Sequence, residues 1–328
     1  MIKLGNIEGK KGTVQKGFWH TGSYADGTRI ALPVMIATGE QEGPVLWIEG
    51  CIHGDEYGGA GSIIKIVESL NLKTLKGTLI AVPVTNLPSY LGRSRISPLD
   101  GPNLNRIFPG NTTGTYSYRL ADALIEAITE TSDYLLDLHS GGIALETTFY
   151  SIYMDDNSES SKISKKLAKS LGADVVWRVE GGLSPKGTIT DEAASRGIPS
   201  VTLEVGGGTV TDKHIENYTL GITNMMKVIG MLDGDITKHD KYTIVNNAVF
   251  FFNQEGGLFV PDVKVGTFLK KNERIGHIIN FHGETVDEVL NPWENGWIAA
   301  IRHNYVPTDS GELVAESYEF EKEESYED

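Results

Sequence analysis

The chain has 328 residues, and its 29 basic and 44 acidic side chains give a formal net charge of −15. This charge disfavours nucleic acid and anionic membrane surfaces as partners. The length predicts one large and one smaller domain, and the 40% hydrophobic and 22% charged residues are typical of a globular protein in water.

The first residues, MIKLGNIEGKKG, contain no apolar core of signal-peptide length. No stretch approaches the roughly 18 apolar residues that span a bilayer. Cys51 is the only cysteine, so a disulfide within one chain is excluded and a reducing compartment is the simpler expectation. We therefore predict a cytoplasmic protein without a membrane partner. The sequence leaves the oligomeric state open, a homo-oligomer included.

Strand-like and helix-like segments alternate from about residue 13 to 210. The strand-like runs, rich in Val, Ile, Leu and aromatic residues, are RIALPVMIAT, VLWIEG, TLIAVPV, YLLDLHS, TFYSIYM, DVVWRV and SVTLEV. Such runs suit strands that are buried on both faces. Helical spacing marks residues 117–131, 160–171 and 213–231. The alternation predicts an α/β domain over residues 1–240, with a mixed sheet flanked by helices and ligands at the carboxyl ends of strands.

The pattern changes after residue 240. Short β-type runs there are separated by Gly, Asn and Lys-Lys-Asn turns, and no helical segment is evident. We predict a small all-β domain over residues 241–318, with the rhythm of a barrel-sandwich. The acidic residues 319–328, EFEKEESYED, are expected to form a frayed, solvated tail.

The stretch LWIEGCIHGDEYGGAG, residues 46–61, places a histidine and a glutamate directly after an apolar run. His53 and Glu56 are three positions apart. On the first turn of a helix, or in the turn leading into it, this spacing puts both side chains on one face. Imidazole and carboxylate are ordinary zinc ligands. The pattern alone is also common in surface residues, but its position at a strand end favours a metal site.

A third ligand is expected at the end of another strand, and YLLDLHSGG supplies His139 in that setting. Two histidines and one glutamate form a catalytic zinc set with one position open. Asp137 precedes His139 by two residues and so points to the same side of the strand. Its carboxylate could accept the other ring N–H of His139 and fix the tautomer, or it could accept backbone donors only.

Hydrolysis also needs a base, and SVTLEVGGG offers Glu204 at the end of a further buried-type strand. A carboxylate in an apolar run is costly unless it is paired or functional, so we interpret Glu204 as a general base, with a buried structural glutamate as the alternative. The glycines behind it permit the close approach of a substrate or a loop.

Between the third strand-like run and the first helix lies the loop GRSRISPLDGPNLNRIFPG, residues 92–110. Arginine is suited to a bidentate grip on a carboxylate, and it can also stabilise the oxyanion that forms when water attacks a carbonyl. The polar candidates in this loop are Arg93, Arg95, Asn103, Asn105 and Arg106.

Four motifs in this order, HGDE, NLNR, DLHS and LEVGG, resemble the zinc carboxypeptidase superfamily. More narrowly, the chain resembles the succinylglutamate desuccinylase/aspartoacylase family, and its long RISPLDGPNLNRIFPG form is closest to deacetylases of acetylated diaminobutyrate. The resemblance implies a zinc-carboxypeptidase-like fold and a single Zn²⁺ ion per chain. The implied roles are metal ligation by His53, Glu56 and His139, general base catalysis by Glu204, carbonyl polarisation by Arg95 in preference to Arg93, and substrate-carboxylate binding by Asn105 and Arg106, with Arg196 as an additional substrate arginine.

The resulting hypothesis is a zinc-dependent hydrolase that cleaves the amide bond of a small N-acyl amino acid. One alternative is a metallocarboxypeptidase that trims peptides, and another is a metal- or ligand-binding protein without turnover. The β domain lacks the lysine that a biotinyl or lipoyl carrier presents, because FHGETVDEV occupies that place. We therefore expect this domain to shape the active-site mouth and to exclude larger peptides.

Overall fold

The computed structural model describes residues 2–180 and 186–327. The strands are β1 (Lys3–Leu4), β2 (Ile7–Glu8), β3 (Thr13–Ser23), β4 (Arg29–Thr38), β5 (Gln41–Gly50), β6 (Lys76–Val82), β7 (Tyr134–His139), β8 (Leu145–Thr147), β9 (Tyr150–Asp155), β10 (Val175–Glu180), β11 (Ser200–Glu204), β12 (Tyr242–Phe252), β13 (Gly257–Pro261), β14 (Phe268–Leu269), β15 (Arg274–Ile279), β16 (Thr285–Leu290), β17 (Gly296–Arg302), β18 (Pro307–Thr308) and β19 (Leu313–Glu324). The helices are α1 (Gly58–Ser69), α2 (Leu87–Gly92), α3 (Tyr116–Thr131), α4 (Glu159–Ser170), α5 (Ile189–Ser195) and α6 (Asp212–Val228), with a 3₁₀ turn at Leu104–Arg106.

A mixed sheet of 13 strands forms the centre of the molecule. Its order is β14-β17-β19-β12-β10-β9-β11-β7-β5-β6-β4-β3, and β8 pairs with β17. Strand β7 lies between β5 and β11 and is parallel to both. The carboxyl ends of these three strands therefore meet at one edge of the sheet, where α/β proteins bind their ligands.

Helices cover both faces of this sheet, because successive residues of its strands point to opposite sides. In β5, Leu46 and Ile48 pack in the core that also contains residues of α1, α4 and α6. Trp47 lies between them in sequence and packs in the second core, with residues of α3 and α5. The continuous apolar run of β5 is thus explained by burial on both faces.

The predicted mixed α/β architecture is confirmed. The predicted helices at 117–131, 160–171 and 213–231 correspond to Tyr116–Thr131, Glu159–Ser170 and Asp212–Val228. After α6, the described residues contain strands and no helix, as expected. Four of these strands, β16-β15-β13-β18, form a separate antiparallel sheet.

The C-terminal region continues the central sheet and includes part of the acidic tail. The division at residue 240 remains a prediction, but the central sheet continues across it, since β12 pairs with β10 and with β19. The prediction of a frayed tail from residue 319 is wrong for the first six residues, 319–324, which belong to β19. The carboxylate of Glu324 lies 2.7 Å from Nζ of the buried Lys169, so tertiary pairing orders this acidic segment.

Among the described residues, no helix is both long enough and apolar enough to cross a membrane.

Candidate metal centre and active site

Three adjacent strands bring the candidate residues together. His53 and Glu56 lie in the loop after β5, His139 is the last residue of β7, and Glu204 is the last residue of β11. Glu204 stands beside His139 in the parallel register of β11 and β7. The sheet thus places side chains that are far apart in sequence at one edge.

The loop from β5 to α1 turns sharply. Cys51 has a positive φ of 54°, an uncommon backbone conformation for a residue with a side chain. Gly54 is packed so closely against helix α2 that a Cβ atom there would lie 1.9 Å from the carbonyl carbon of Ser89. The N–H of Glu56 donates to the carbonyl of His53 at 3.3 Å, which closes the turn. His53 and Glu56 therefore lie in the turn leading into the helix.

Both histidines direct Nδ1 to the carboxylate of Glu56. The distance from His53 Nδ1 to Glu56 Oε1 is 2.8 Å, and the distance from His139 Nδ1 to Glu56 Oε2 is 2.9 Å. All three side chains are buried. One ligand atom from each lies within 4.8 Å of the others, and the three form the single such candidate metal group among residues 2–180 and 186–327.

The surroundings of the two imidazoles fit a metal. His53 Nε2 lies 3.1 Å from Asn103 Oδ1, and His139 Nε2 lies 2.7 Å from Asp137 Oδ2. These acceptors favour the tautomer with Nε2 protonated, which leaves the Nδ1 lone pair for a cation. The nitrogen and carboxylate donors are those that zinc prefers.

Opposing electrostatic effects act on these three groups. Burial and the nearby Arg95 lower the pKa of His53 to about 3, so this imidazole is neutral at physiological pH. Burial acts against the charged form of His139, but Asp137 and Glu56 outweigh it and raise its pKa well above the usual value. Burial likewise acts to raise the pKa of Glu56, but the two histidines hold it well below its usual value. Glu56 is thus a carboxylate, as metal ligation requires.

The side chain of Glu204 faces the same cavity as His53 and His139. Its Oε2 atom is buried and makes no hydrogen bond with the described residues. Burial, the opposing effect of His139, and the nearby carboxylates of Glu56 and Glu316 together raise its pKa to about 8. The glycines behind Glu204 serve the packing of the protein's own loop, because a Cβ on Gly207 would lie 1.8 Å from the carbonyl oxygen of Leu145.

Three of the loop candidates also line the cavity: Arg95, Asn105 and Arg106. Arg95 Nη1 donates to Glu56 Oε1 at 3.0 Å. Asn105 is held through its amide oxygen, since Oδ1 accepts from the N–H of Ile189 at 2.8 Å, and its Nδ2 lies 3.2 Å from His139 Nε2. Arg106 donates to the carbonyl of Asn105 and forms no ion pair with the described residues. Burial and Arg95 lower the pKa of Arg106.

The other two arginines are placed elsewhere. Arg196 follows α5 and pairs with Glu126 at 2.7 Å and with Glu192 at 2.8 Å, so its guanidinium is engaged outside the cavity. Arg93 ends α2 with a positive φ of 51° and does not line the cavity. The expectation that Arg196 reaches the substrate site is therefore corrected, and Arg95 is the arginine beside the candidate metal ligands.

Sequence reasoning missed the remaining walls of the cavity. Tyr150, Trp177 and Phe250 line it, as do Glu316 and Tyr318 of β19. The cavity opens to solvent, and the space between its walls, the open part included, is about 600 Å³. An acidic residue within the apolar run of β19 is the signal that could have identified Glu316, just as it identified Glu204. Asn103 was named without a role, and the structure places it against His53.

The sequence is similar to proteins of one known family. Residues 42–229 match the sequence model of the succinylglutamate desuccinylase/aspartoacylase catalytic domain. A curated N-alpha-acetyl-L-2,4-diaminobutyric acid deacetylase from Halomonas elongata is 28% identical over 293 residues, covering 87% of this chain and 85% of that protein.

Solved structures share the fold over nearly the full length. A succinylglutamate desuccinylase from Silicibacter sp. TM1040 superposes with a TM-score of 0.86 at 22% identity, covering 98% of this chain and 100% of that one. The product-bound ectoine utilization protein EutE (DoeB) from Ruegeria pomeroyi superposes with a TM-score of 0.83 at 23% identity, covering 95% and 98%. With the family's domain matched over more than half of the sequence, the chain belongs to the succinylglutamate desuccinylase/aspartoacylase family.

Proposed function

We propose that this protein is a zinc-dependent hydrolase that cleaves the amide bond of a small N-acyl amino acid. The observation that carries the proposal is the convergence of His53, Glu56 and His139, with the partner-free carboxylate oxygen of Glu204 at the same cavity. The family is named after a desuccinylase and an aspartoacylase, and the Halomonas relative is described as an acetyl-diaminobutyric acid deacetylase. Both support a deacylase.

His53, Glu56 and His139 would hold one zinc ion per chain, with Asp137 orienting His139. When bound there, zinc would supply Lewis-acid activation of the water and of the scissile carbonyl. The second ring nitrogens of both histidines have acceptors in place, so the ligands need little rearrangement. With three protein ligands, the ion would keep one position for water or substrate, as a catalytic zinc site requires.

Glu204 acts as the general base. Its carboxylate takes a proton from the attacking water at Oε2, the atom without a hydrogen-bond partner among the described residues, and returns it to the leaving amine. A pKa raised to about 8 suits a group that both accepts and releases a proton near neutral pH. Arg95 donates hydrogen bonds to the carbonyl oxygen as negative charge develops on it.

Arg106 and Asn105 bind the carboxylate of the amino-acid part of the substrate. Arg106 points a guanidinium into the cavity without a carboxylate partner among the described residues, so a substrate carboxylate can take that place. The amide of Asn105, fixed by the N–H of Ile189, places this subsite beside His139. Their contribution is orientation of the amide bond toward the metal site.

The C-terminal strands take part in enclosing the substrate. Phe250 and Tyr318 lie on β12 and β19 and line the cavity, in agreement with a role for this region in shaping the mouth and favouring small substrates. A cytoplasmic location, suggested by the single Cys51, and a homo-oligomeric assembly both remain predictions.

Replacement of Glu204 by Gln tests the proposal. With zinc-loaded protein and acetyl and succinyl amino acids as substrates, we expect kcat to fall by about 10²- to 10⁴-fold while zinc content is retained. Glu180→Gln is the control, since this exposed residue ends β10, which lies two strands from β11 in the sheet, and pairs with Arg178. Turnover of Glu204→Gln near wild type would contradict the role of Glu204. Hydrolysis of C-terminal peptides in place of acyl amino acids would favour a metallocarboxypeptidase.

A further inference from the structure

One buried side chain contacts the backbone at the ends of both strands that carry the site. Tyr218 lies on α6 and is buried. Its hydroxyl donates to the carbonyl oxygen of His139 at 2.5 Å and lies 3.2 Å from the carbonyl oxygen of Val205. His139 is the last residue of β7, and Val205 directly follows Glu204, the last residue of β11. Tyr218 therefore joins the strand of a candidate metal ligand to the strand of the proposed base.

The ring of Tyr218 also packs against the segment that supplies the other two candidate ligands, His53 and Glu56. Gly58 is the first residue of α1 and follows Glu56 by two positions. A Cβ atom on Gly58 would lie 2.7 Å from Cε2 of Tyr218, so glycine at this position permits the close approach of α1 to the ring. Tyr218 thus contacts all three segments from which the candidate site is built.

Tyr218 lies on the other side of the central sheet from the cavity. His139 and Glu204 line the cavity, whereas their neighbours Leu138 and Leu203 point to the opposite face and pack in the core that contains Tyr218. The side chain of Tyr218 does not line the cavity, so it cannot contact a substrate there. Any effect of its hydroxyl on the reaction must pass through the two backbone carbonyls.

We propose that Tyr218 is a positioning residue, whose hydroxyl fixes the carboxyl ends of β7 and β11 and so sets the separation between His139 and Glu204. This inference rests on the proposed function and adds to it a residue outside the four sequence motifs. His139 and Glu204 are the last register pair of the two strands, so the hydroxyl acts where their pairing ends. Reacting groups must be held close to their productive geometry, and a displacement of about 1 Å can lower turnover about 100-fold.

Tyr218→Phe keeps the ring and removes the hydroxyl. With zinc-loaded protein and acetyl and succinyl amino acids, we expect kcat to fall by about 10- to 100-fold while KM stays within about threefold. Tyr242→Phe is the matched control, because Tyr242 is also buried and its hydroxyl accepts from the N–H of His239 at 3.1 Å. Its strand, β12, lies three strands from β11 in the sheet. This control should lose stability in urea titrations but keep kcat within about twofold of wild type.

A second substitution moves the hydroxyl instead of removing it. The Cβ atom added in Gly58→Ala would lie 2.7 Å from the ring of Tyr218, so the ring or the helix must shift. We expect a loss of kcat of the same order, and less than about threefold further loss when Gly58→Ala is added to Tyr218→Phe. Gly61→Ala is the control on the same helix, since its Cβ would make an ordinary contact of 3.7 Å with Ile215. If Tyr218→Phe does not fold, Gly58→Ala with this control decides the inference.

The geometry of a bound metal gives a readout that does not depend on turnover. In protein loaded with cobalt, the visible absorption bands report the arrangement of the ligands. Tyr218→Phe and Gly58→Ala should change these bands, whereas Tyr242→Phe should keep the wild-type spectrum. A purely structural hydroxyl would lower the stability of the protein and leave the spectrum unchanged.

Two kinetic results would overturn the inference. One is a loss of kcat below about 10-fold in Tyr218→Phe, and the other is an equal loss in Tyr242→Phe. If the zinc-loaded wild type hydrolyses no acyl amino acid, the proposed function fails, and the cobalt spectra then decide the inference alone. Identical spectra for the wild type and Tyr218→Phe would contradict it. A spectrum that changes in Tyr218→Phe but not in Tyr242→Phe would support it.

Discussion

The link between Asp137 and His139 offers a sharp test of the proposed metal centre. Asp137 is fully buried on β7, and its Oδ2 accepts the ring N–H of His139 Nε2 at 2.7 Å. Replacing Asp137 by Asn keeps the size of the side chain and removes the negative charge. The imidazole then becomes a weaker donor to a metal at Nδ1, and its tautomer is less firmly held.

The expected loss of zinc affinity follows from the hydrogen bond between Asp137 and His139. Removing a partner of this kind lowers metal affinity by about 10- to 100-fold, which equals about 1.4 to 2.7 kcal/mol. Two opposing effects act on the stability of the metal-free protein. Glu49 lies beside Asp137 in the register of β5 and β7, and burial together with Asp137 raises the pKa of Glu49 well above its usual value. In Asp137→Asn, relief of the like-charge contact with Glu49 stabilises the fold, and loss of the ion pair with His139 destabilises it. His139 still has a carboxylate partner, because Glu56 Oε2 lies 2.9 Å from its Nδ1.

We therefore expect Asp137→Asn to bind zinc about 10- to 100-fold more weakly. The free energy of unfolding of the metal-free protein should fall by less than the roughly 3 to 5 kcal/mol that removal of one partner of a buried ion pair costs, because relief at Glu49 offsets part of the loss. Zinc affinity is measured by competition with a chromogenic chelator, and unfolding by urea titration of the metal-free protein. Asp133→Asn is the control, because Asp133 precedes the same strand and accepts from the N–H of Val45 at 2.8 Å, at the other end of β7 from His139. Zinc affinity within twofold of wild type would refute the reasoning.

Three further changes follow from the contacts of single residues. Arg106→Lys should raise KM by about 10-fold or more with a smaller effect on kcat, since lysine cannot form the bidentate contact with a carboxylate. Arg196→Ala should leave kcat/KM within about twofold, because its guanidinium is engaged by Glu126 and Glu192. Glu324→Ala should lower the free energy of unfolding by about 2 kcal/mol in urea titrations at pH 7, because Lys169 is buried and loses its 2.7 Å partner. In the wild type, burial acts to raise the pKa of Glu324, but hydrogen bonds from lysines, Lys169 foremost, lower it to about 2; this stability is therefore present above pH 4.5 and is lost as the pH falls toward 2.

A specific result would contradict each of these three predictions. An unchanged KM in Arg106→Lys would remove Arg106 from the carboxylate subsite. A large rise in KM in Arg196→Ala would restore Arg196 as a substrate arginine. For the tail, equal stability of Glu324→Ala and wild type at pH 7 would show that residues beyond 318 contribute little, as the sequence had predicted. Glu327→Ala is the matched control, since Glu327 is exposed and lies 3.6 Å from Lys238 at the surface.

Much of the candidate site was predictable because its signals are local. His139 and Glu204 each end an apolar run, and His53 with Glu56 follows another. An apolar run buried on both faces predicts a strand, and a polar residue at its carboxyl end is exposed to the ligand-binding edge of a parallel sheet. The motifs therefore identified the residues that the structure brings together, and the family resemblance is confirmed.

Strand pairing decided the rest. The sequence of residues 319–324 is acidic and suggests a solvated tail, but β19 pairs with β12, and Glu324 reaches a buried lysine of α4. The same pairing brings Glu316 from the C-terminal region to the cavity. Arg196, in contrast, lies just before β11 in sequence, but its guanidinium pairs with Glu126 of α3 outside the cavity. Local patterns report which residues form a strand and which face is buried, whereas the choice of neighbouring strand depends on contacts between distant segments, which only the tertiary structure contains.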